Sequence, residues 1–162
     1  VDAPGTPNLA GNLSHTDQLP ANTDHIGLLS RFETREDLVA PSHNSLLILL
    51  SGPEPQRTEL SRILWQQCLH HPGNITFIEG SETAQQPAPV PAHITYHKRV
   101  GGSQLANILS NASMVICRSG YSTIMDLVAL QKKAILIPTP GQTEQEYLAK
   151  HLMQQNIFPK QN

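Results

Sequence analysis

Five short apolar runs, with helical patterns between them, constrain the fold of this chain more than any other feature. The runs are continuous rather than alternately apolar and polar, which is typical of strands in a parallel sheet covered on both faces. Strands that alternate with helices are joined by right-handed crossovers. The sequence therefore predicts an α/β fold, a doubly wound parallel sheet of the Rossmann-like type. The runs are Leu46 to Leu50, Ile75 to Ile78, Ile94 to Tyr96, Met114 to Cys117 and Ala134 to Ile137.

Four helices are predicted between and after these strands. They follow Pro55, begin near Gln104, follow Gly120 and begin near Gln142. Ligands of doubly wound sheets bind outside the carboxyl ends of the strands. We therefore expect one rim of the molecule to collect the loops at Ser51-Gly52, Lys98 to Ser103, Arg118 to Thr123 and Pro138 to Gln145.

Length and composition narrow the classes of function. A chain of 162 residues supports one self-sufficient core. The net charge of -2 argues against a nucleic-acid partner, which would require clustered Lys and Arg. The longest apolar run has five residues, Leu46 to Leu50, far short of a membrane span. The two cysteines, Cys68 and Cys117, fit a reducing cytoplasm.

The first 24 residues differ in character from the rest. They are rich in Pro, Gly, Asn and Thr and lack periodicity, so residues 1-24 are predicted to be a linker or the tail of an upstream domain. Residues 25-162 then form the domain itself. The chain begins at Val1 without a Met, and we expect it to be a fragment of a longer product.

The stretch from Cys117 to Asp126 carries the strongest functional pattern. An apolar strand ends at Cys117, a glycine follows at Gly120, and small hydroxyl residues begin a helix. Unpaired amide groups and the positive end of the helix dipole attract anions at such a helix start. An ordinary strand-to-helix turn is the alternative. Asp126 favours the phosphate site, because we expect its carboxylate to lie with Ser122 on the open face of the helix, where ribose hydroxyls could reach it.

With these elements in place, the chain from about residue 46 to 158 resembles the C-terminal, donor-binding domain of the family 28 glycosyltransferases. Three matches carry the resemblance. They are the Cys117-Arg118-Ser119-Gly120 turn, the hydroxyl-bearing helix start that leads to Asp126, and Pro138-Thr139-Pro140 followed by Gln145-Glu146. The resemblance implies one Rossmann-like half of a GT-B fold, in which the helix after the glycine turn binds the diphosphate of a nucleotide-sugar donor.

Carried over position by position, the family's roles fall on a defined set of residues. The acid holds the ribose, the polar pair in the last helix contacts ribose and phosphate, and backbone near the third strand's exit reads the nucleobase edge. The residues are Ser119, Gly120, Ser122 and Thr123 for the diphosphate, Asp126 for the ribose, Gln145 and Glu146 for the polar pair, and Val100 and Gly101 at the nucleobase edge.

The sequence departs from the family pattern at two places. The family's ribose acid is typically Glu, so Asp126 requires either a closer helix or a bridging water. The first loop is usually of the Gly-Gly-Ser type, whereas here Gly52 is followed by Pro53 and Pro55, which remove backbone donors. Arg57 is then a candidate substitute for the missing phosphate contacts.

Two of the candidate residues also have structural interpretations. Arg118 could pair with a surface acid as well as supply charge to a diphosphate. Glu146 fits a capping box with Thr143, in which its carboxylate serves backbone groups at the start of its own helix.

The expected function is donor binding in a glycosyltransferase that uses a UDP-linked sugar. The resemblance implies no metal and no other cofactor, an N-terminal acceptor domain that supplies the catalytic base, and an inactive isolated fragment. Residues 7–15 and 26–32 look like the junction that leads out of that domain. The expected location is the cytoplasm or the inner-membrane periphery, with membrane contact through the acceptor domain. A nucleotide-sugar epimerase or hydrolase and a non-catalytic donor-binding subunit remain alternatives.

Overall fold

The fold centres on a five-stranded parallel sheet. The computed structural model describes residues 2–5, 7–16, 19–32 and 45–159. The strands lie in the order β3-β2-β1-β4-β5, and each neighbouring pair is parallel. This arrangement confirms the predicted fold class. The strands are β1 Ser45–Leu49, β2 Asn74–Ile78, β3 Ile94–His97, β4 Met114–Cys117 and β5 Ala134–Leu136.

Helices cover both faces of the sheet and explain why the strands are apolar throughout. Successive strand residues point to opposite faces, so Leu47 enters one core with helices α2, α3 and α4, while Ile48 enters a second core with α1. In β2, Ile78 likewise lies in the first core and Phe77 in the second. The helices are α1 Gln56–Cys68, α2 Gly102–Asn111, α3 Tyr121–Ala129 and α4 Thr143–Gln154.

The strand order contains a reversal that positions the functional rim. From β1 the chain moves outward through β2 to β3, and α2 then returns it to β4 on the other side of β1. Ligands of doubly wound sheets bind in the crevice at such a reversal. The loops that follow β1 and β4, at residues 50–55 and 118–120, therefore face the expected ligand position.

The N-terminal residues pack against the domain. Their described part holds one 3-10 turn, Gly11–Leu13, and one isolated bridge between Asp2 and Gly27. Leu9 is buried in the same core as the residues of α4, and the amide of Asn12 donates to the Tyr147 hydroxyl at 2.8 Å. The segment is thus irregular, as expected, and docks on α4. The domain boundary at residue 24 stays a prediction.

Within the described ranges, every helix is too short or too polar to cross a membrane.

Candidate functional site

The start of α3 is open and uncapped. Gly120 is the N-cap residue, with φ -72° and ψ 136°, and no side chain in the described part of the chain caps the helix. A Cβ added at Gly120 would meet no atom of the described residues within 4 Å. Ser122 is exposed and Thr123 is half-buried. Their first-turn amides point outward from a helix N-terminus, a position that favours an anion.

Ser119 holds the turn before α3 in place through its side chain. The side chain is fully buried, and its hydroxyl donates to the backbone carbonyl of Gln145 at 2.8 Å. The predicted contribution of Ser119 to diphosphate binding stays a prediction. The contact joins the turn before α3 to the first part of α4, so that both helix starts are held at the same rim.

Arg118 pairs with no acid among the described residues, and its charge contribution to a diphosphate stays a prediction. Its side chain is only 4% exposed, and its guanidinium donates to the carbonyls of Pro138 at 2.9 Å and Gln56 at 2.8 Å. Burial lowers the pKa of this guanidinium below its ordinary value. Arg118 therefore ties the turn after β4 to the Pro138 loop after β5 and to the first residue of α1.

Three buried polar atoms near Arg118 make no hydrogen bond within the described part of the chain. They are Arg118 Nε, Thr139 Oγ1 and Gln56 Oε1. Buried polar groups are normally satisfied by protein or by water. The rim around Arg118 thus keeps hydrogen-bonding capacity that the described residues do not use.

Asp126 lies in a different environment from the predicted open face. Its side chain is 2% exposed and accepts four hydrogen bonds from Ser30 and Arg31. Ser30 Oγ and the Arg31 amide donate to Oδ1 at 2.9 and 3.0 Å. Arg31 Nε and Nη2 donate to Oδ2 at 3.0 and 2.5 Å. The open-face prediction is wrong because residues 30–32 cover the side of α3 that faces away from the sheet.

The loop after β1 contributes less than expected. Gly52 has φ +105°, and a Cβ there would lie 3.7 Å from Thr139 Oγ1, so the loop approaches the Pro138 loop. Arg57 is buried and pairs with Glu54 and Glu79, donating to the Glu79 carbonyl at 3.1 Å. Two carboxylates thus hold the Arg57 guanidinium, and its predicted replacement of phosphate contacts stays a prediction.

The loop between β3 and α2 keeps its backbone accessible. Val100 is half-buried against the core, and Gly101 is the exposed N-cap residue of α2. A cavity of about 370 Å³ lies between this helix and residues 30–32, within the size range of small-ligand pockets. Its lining includes Arg31, Phe32, Gly102, Ser103, Ala106 and Leu130.

Gln145 and Glu146 both serve the loop before α4. Gln145 Oε1 accepts from the Thr139 amide at 3.0 Å, and its Nε2 donates to Gln142 Oε1 at 2.5 Å. Glu146 Oε1 accepts from the Gly141 amide at 2.9 Å. The capping interpretation of Glu146 is correct in its chemistry, but the helix is N-capped at Gln142, so Thr143 does not form the predicted box.

The structure thus brings together the α3 start, Gln145 and Glu146 at one rim, and it sets Arg57 apart in an ion-pair network of its own. Sequence reasoning missed Ser30 and Arg31, which contact the candidate acid. Thr139 lies in the predicted rim loop, but its buried hydroxyl, which makes no hydrogen bond within the described residues, was not predicted. Ser30 and Arg31 lie in the stretch 26–32 that was interpreted as a domain junction, an interpretation that does not predict their contact with Asp126. No group of three or more His, Cys, Asp or Glu side chains suited to a metal ion occurs among the described residues.

The chain matches a known protein family. Residues 66–157 match the model of the glycosyltransferase family 28 C-terminal domain. The chain belongs to this family. The matched stretch includes the α3 start, Asp126 and the Gln145-Glu146 pair, so the resemblance predicted from the sequence is confirmed.

Two curated relatives support the assignment. Both are named UDP-N-acetylglucosamine--N-acetylmuramyl-(pentapeptide) pyrophosphoryl-undecaprenol N-acetylglucosamine transferase. The protein from Desulforudis audaxviator (strain MP104C) is 30% identical over 141 residues, covering 75% of this chain and 36% of the relative. The protein from Prochlorococcus marinus (strain MIT 9312) is 29% identical over 113 residues, covering 68% and 31%. This family 28 domain thus spans about a third of the length of these relatives.

A solved structure shares the fold. The crystal structure of the glycotransferase of kitacinnamycin aligns with a TM-score of 0.60 at 17% identity. The alignment covers 93% of this chain and 40% of that chain. The family 28 domain is thus one Rossmann-like half of a GT-B architecture, as the sequence predicted.

Proposed function

We propose that this chain is the donor-binding half of a glycosyltransferase that transfers a sugar from a nucleotide-diphospho-sugar, UDP-linked, to an acceptor. The family assignment supports donor binding, and the names of the two curated relatives contain a UDP-linked sugar donor. The acceptor and the catalytic base belong, in this proposal, to an N-terminal domain of the same protein. The isolated chain then binds the donor without turnover.

Gly120 is the observation that carries the proposal. Its φ of -72° and ψ of 136° suit any residue, and no atom in the described part of the chain lies within 4 Å of where its Cβ would be. The fold therefore does not require a glycine at this position. A glycine at a helix start that the backbone does not need is explained by the close approach of a ligand.

The proposed diphosphate site uses backbone groups. The amides of Ser122 and Thr123 and the positive end of the α3 dipole stabilise charge on the leaving diphosphate, which is how preorganised donors lower a barrier without a metal. Arg118 contributes indirectly, because its hydrogen bonds hold the loops of the rim in place. Its own guanidinium does not need to touch the ligand for this role.

The remaining site residues surround the nucleoside and the loop before α4. Asp126 is the proposed ribose acid, and the backbone at Val100 and Gly101 borders the nucleobase. Gln145 and Glu146 order the residues from Thr139 to Gly141, which close the phosphate end. We place the protein in the cytoplasm or at the inner-membrane periphery, with membrane contact through the acceptor domain.

Gly120→Ala tests the proposal directly. An alanine fits this backbone, but glycine is preferred at an N-cap, so the two effects oppose each other and the free energy of unfolding should change by less than about 1 kcal/mol. The added methyl lies where the diphosphate approaches, so the affinity for UDP should fall at least about tenfold. Calorimetry with UDP measures the effect, starting from a dissociation constant of about 0.1 to 10 mM.

Gln67→Ala is the control, because Gln67 is an exposed residue near the end of α1, away from the proposed site. Its UDP affinity should match that of the wild type. Equal affinities for Gly120→Ala and the wild type would place the donor away from the α3 start.

A further inference from the structure

The Asp126 carboxylate is fully occupied by two residues that the sequence did not connect to the site. We propose that Arg31 is a specificity-determining residue, which competes with the ribose hydroxyls of the donor for Asp126. This inference rests on the proposed function. Arg31 then sets how strongly the site distinguishes a ribonucleotide from a nucleotide that lacks ribose hydroxyls.

The hydrogen bonds of Asp126 explain why protein donors would compete with ribose hydroxyls for its carboxylate. An ionised carboxylate offers about four acceptor positions on its two oxygens. Four donors fill them, two on Oδ1 and two on Oδ2. A ribose hydroxyl can therefore donate to Asp126 only after one of these protein donors leaves.

Arg31 is the donor that can leave at the lowest cost. Its side chain is 61% exposed, whereas that of Asp126 is 3% exposed, so a released guanidinium returns to water with little loss. Both contacts to Oδ2 come from this one side chain. The contacts to Oδ1 come from the Ser30 hydroxyl and the Arg31 amide, and these keep residues 30–31 in place when the guanidinium departs.

The surroundings of the pair suit a nucleoside. The cavity of about 370 Å³ borders Arg31 and reaches the start of α2 at Gly102 and Ser103, beside the loop that borders the proposed nucleobase position. The Arg31 guanidinium also stands 5.4 Å from the centre of the Phe32 ring, a cation–π contact that favours the paired position. Arg31 thus contacts the carboxylate and also lines the cavity.

The experiment compares two ligands on matched variants of the full chain. UDP and 2′,3′-dideoxy-UDP differ only in the hydroxyls that could donate to Asp126. Titration of the wild type should give dissociation constants that differ by less than about threefold. In Arg31→Ala the affinity for UDP should rise about fivefold while that for the dideoxy nucleotide stays unchanged, because Oδ2 is now free.

Two further variants separate this effect from a loss of charge or of folding. Arg31→Lys retains a charge but donates from a single point, so its ratio of the two constants should lie between those of the wild type and Arg31→Ala. Arg62→Ala removes an exposed arginine of α1 and should leave the ratio unchanged. Thermal unfolding of each variant identifies those that remain folded.

Each other result contradicts the proposal in a recognisable way. If Arg31→Ala weakens both nucleotides equally, Arg31 binds phosphate directly. If the folded variants keep the wild-type ratio, Asp126 does not meet the ribose. If the wild type and every variant fail to bind either nucleotide, the donor site itself is wrong, and the competition falls with it.

Discussion

The carboxylate of Asp2 lies close enough to the hydroxyl of Tyr121 to raise its pKa, so the N-terminal segment lies beside the first residue of α3. Burial, followed by the charge and hydrogen bond of Asp2, raises the pKa of Tyr121 to about 12. Asp2 also accepts from the amides of Leu9 and Ala10 at 3.1 and 2.8 Å. One carboxylate thus organises the segment that docks beside the proposed diphosphate site.

The contacts of Asp2 predict a pH dependence of stability. Burial raises its pKa, but the amides of Leu9, Ala10 and Ala3 together outweigh burial and hold the pKa below the ordinary value of 3.8. The unfolded chain therefore binds this proton more readily than the folded one. The stabilisation is complete above the unfolded pKa and is lost as the pH falls through the folded pKa.

Urea unfolding at pH 6, 4 and 3 measures this dependence. Asp2→Asn should unfold more easily at pH 6 by about 1–3 kcal/mol, because two buried amides lose a charged acceptor. Its stability should also fall less than that of the wild type between pH 4 and 3. Asp24→Asn changes an exposed carboxylate and should keep the wild-type slope. A wild-type slope in Asp2→Asn would show that the segment does not contribute.

A substitution of Arg118 tests whether this residue holds the loops together or binds phosphate directly. Arg118→Lys replaces a fork of donors with one ammonium, which cannot reach the carbonyls of Pro138 and Gln56 together. The free energy of unfolding should fall by about 2–3 kcal/mol, since a buried charged donor loses partners. Arg99→Lys changes an exposed arginine and should stay within about 0.5 kcal/mol of the wild type. Wild-type stability together with a large loss of UDP affinity would instead make Arg118 a direct ligand.

The fold was predictable because its signal is local. Each strand has to be apolar on both faces when helices cover both, so the runs that contain Ile48 and Val115 identify buried parallel strands without knowledge of their neighbours. The rim followed from the same reasoning, because parallel strands place all their carboxyl ends on one edge. Helix α3 was likewise placed correctly after Gly120.

The environments of individual site residues were not predictable in this way. Asp126 has an open face on an isolated helix, and its cover comes from Arg31, 95 residues away in sequence. Whether Arg118 points to solvent or to carbonyls depends on where the loops after β1 and β5 lie. Long-range side-chain contacts of this kind leave no periodic pattern, so the sequence predicted the elements around the proposed site but not the surroundings of Asp126 and Arg118.

The final prediction compares the two acids of the site. Asp126→Ala should lower the free energy of unfolding by about 1–3 kcal/mol, because the Ser30 hydroxyl and the Arg31 amide lose a buried, charged acceptor. Because Asp126 is buried, we expect this loss of stability rather than the small change that an exposed carboxylate would give. Glu146→Ala should cost only about 0.5–1 kcal/mol, since its exposed carboxylate accepts a single amide before α4.

UDP titration on the same two variants separates their roles in binding. Glu146→Ala should change the affinity by less than about threefold, a difference of about 0.7 kcal/mol, because Gln145 continues to hold the Thr139 amide. Asp126→Ala should weaken UDP in the wild-type background, and more strongly when Arg31→Ala has removed the competing guanidinium. A double-mutant cycle measures this coupling directly. Additive effects of Asp126→Ala and Arg31→Ala on UDP affinity would mean that the pair stabilises the fold without reading the ribose, and the donor site would then depend on the α3 start alone.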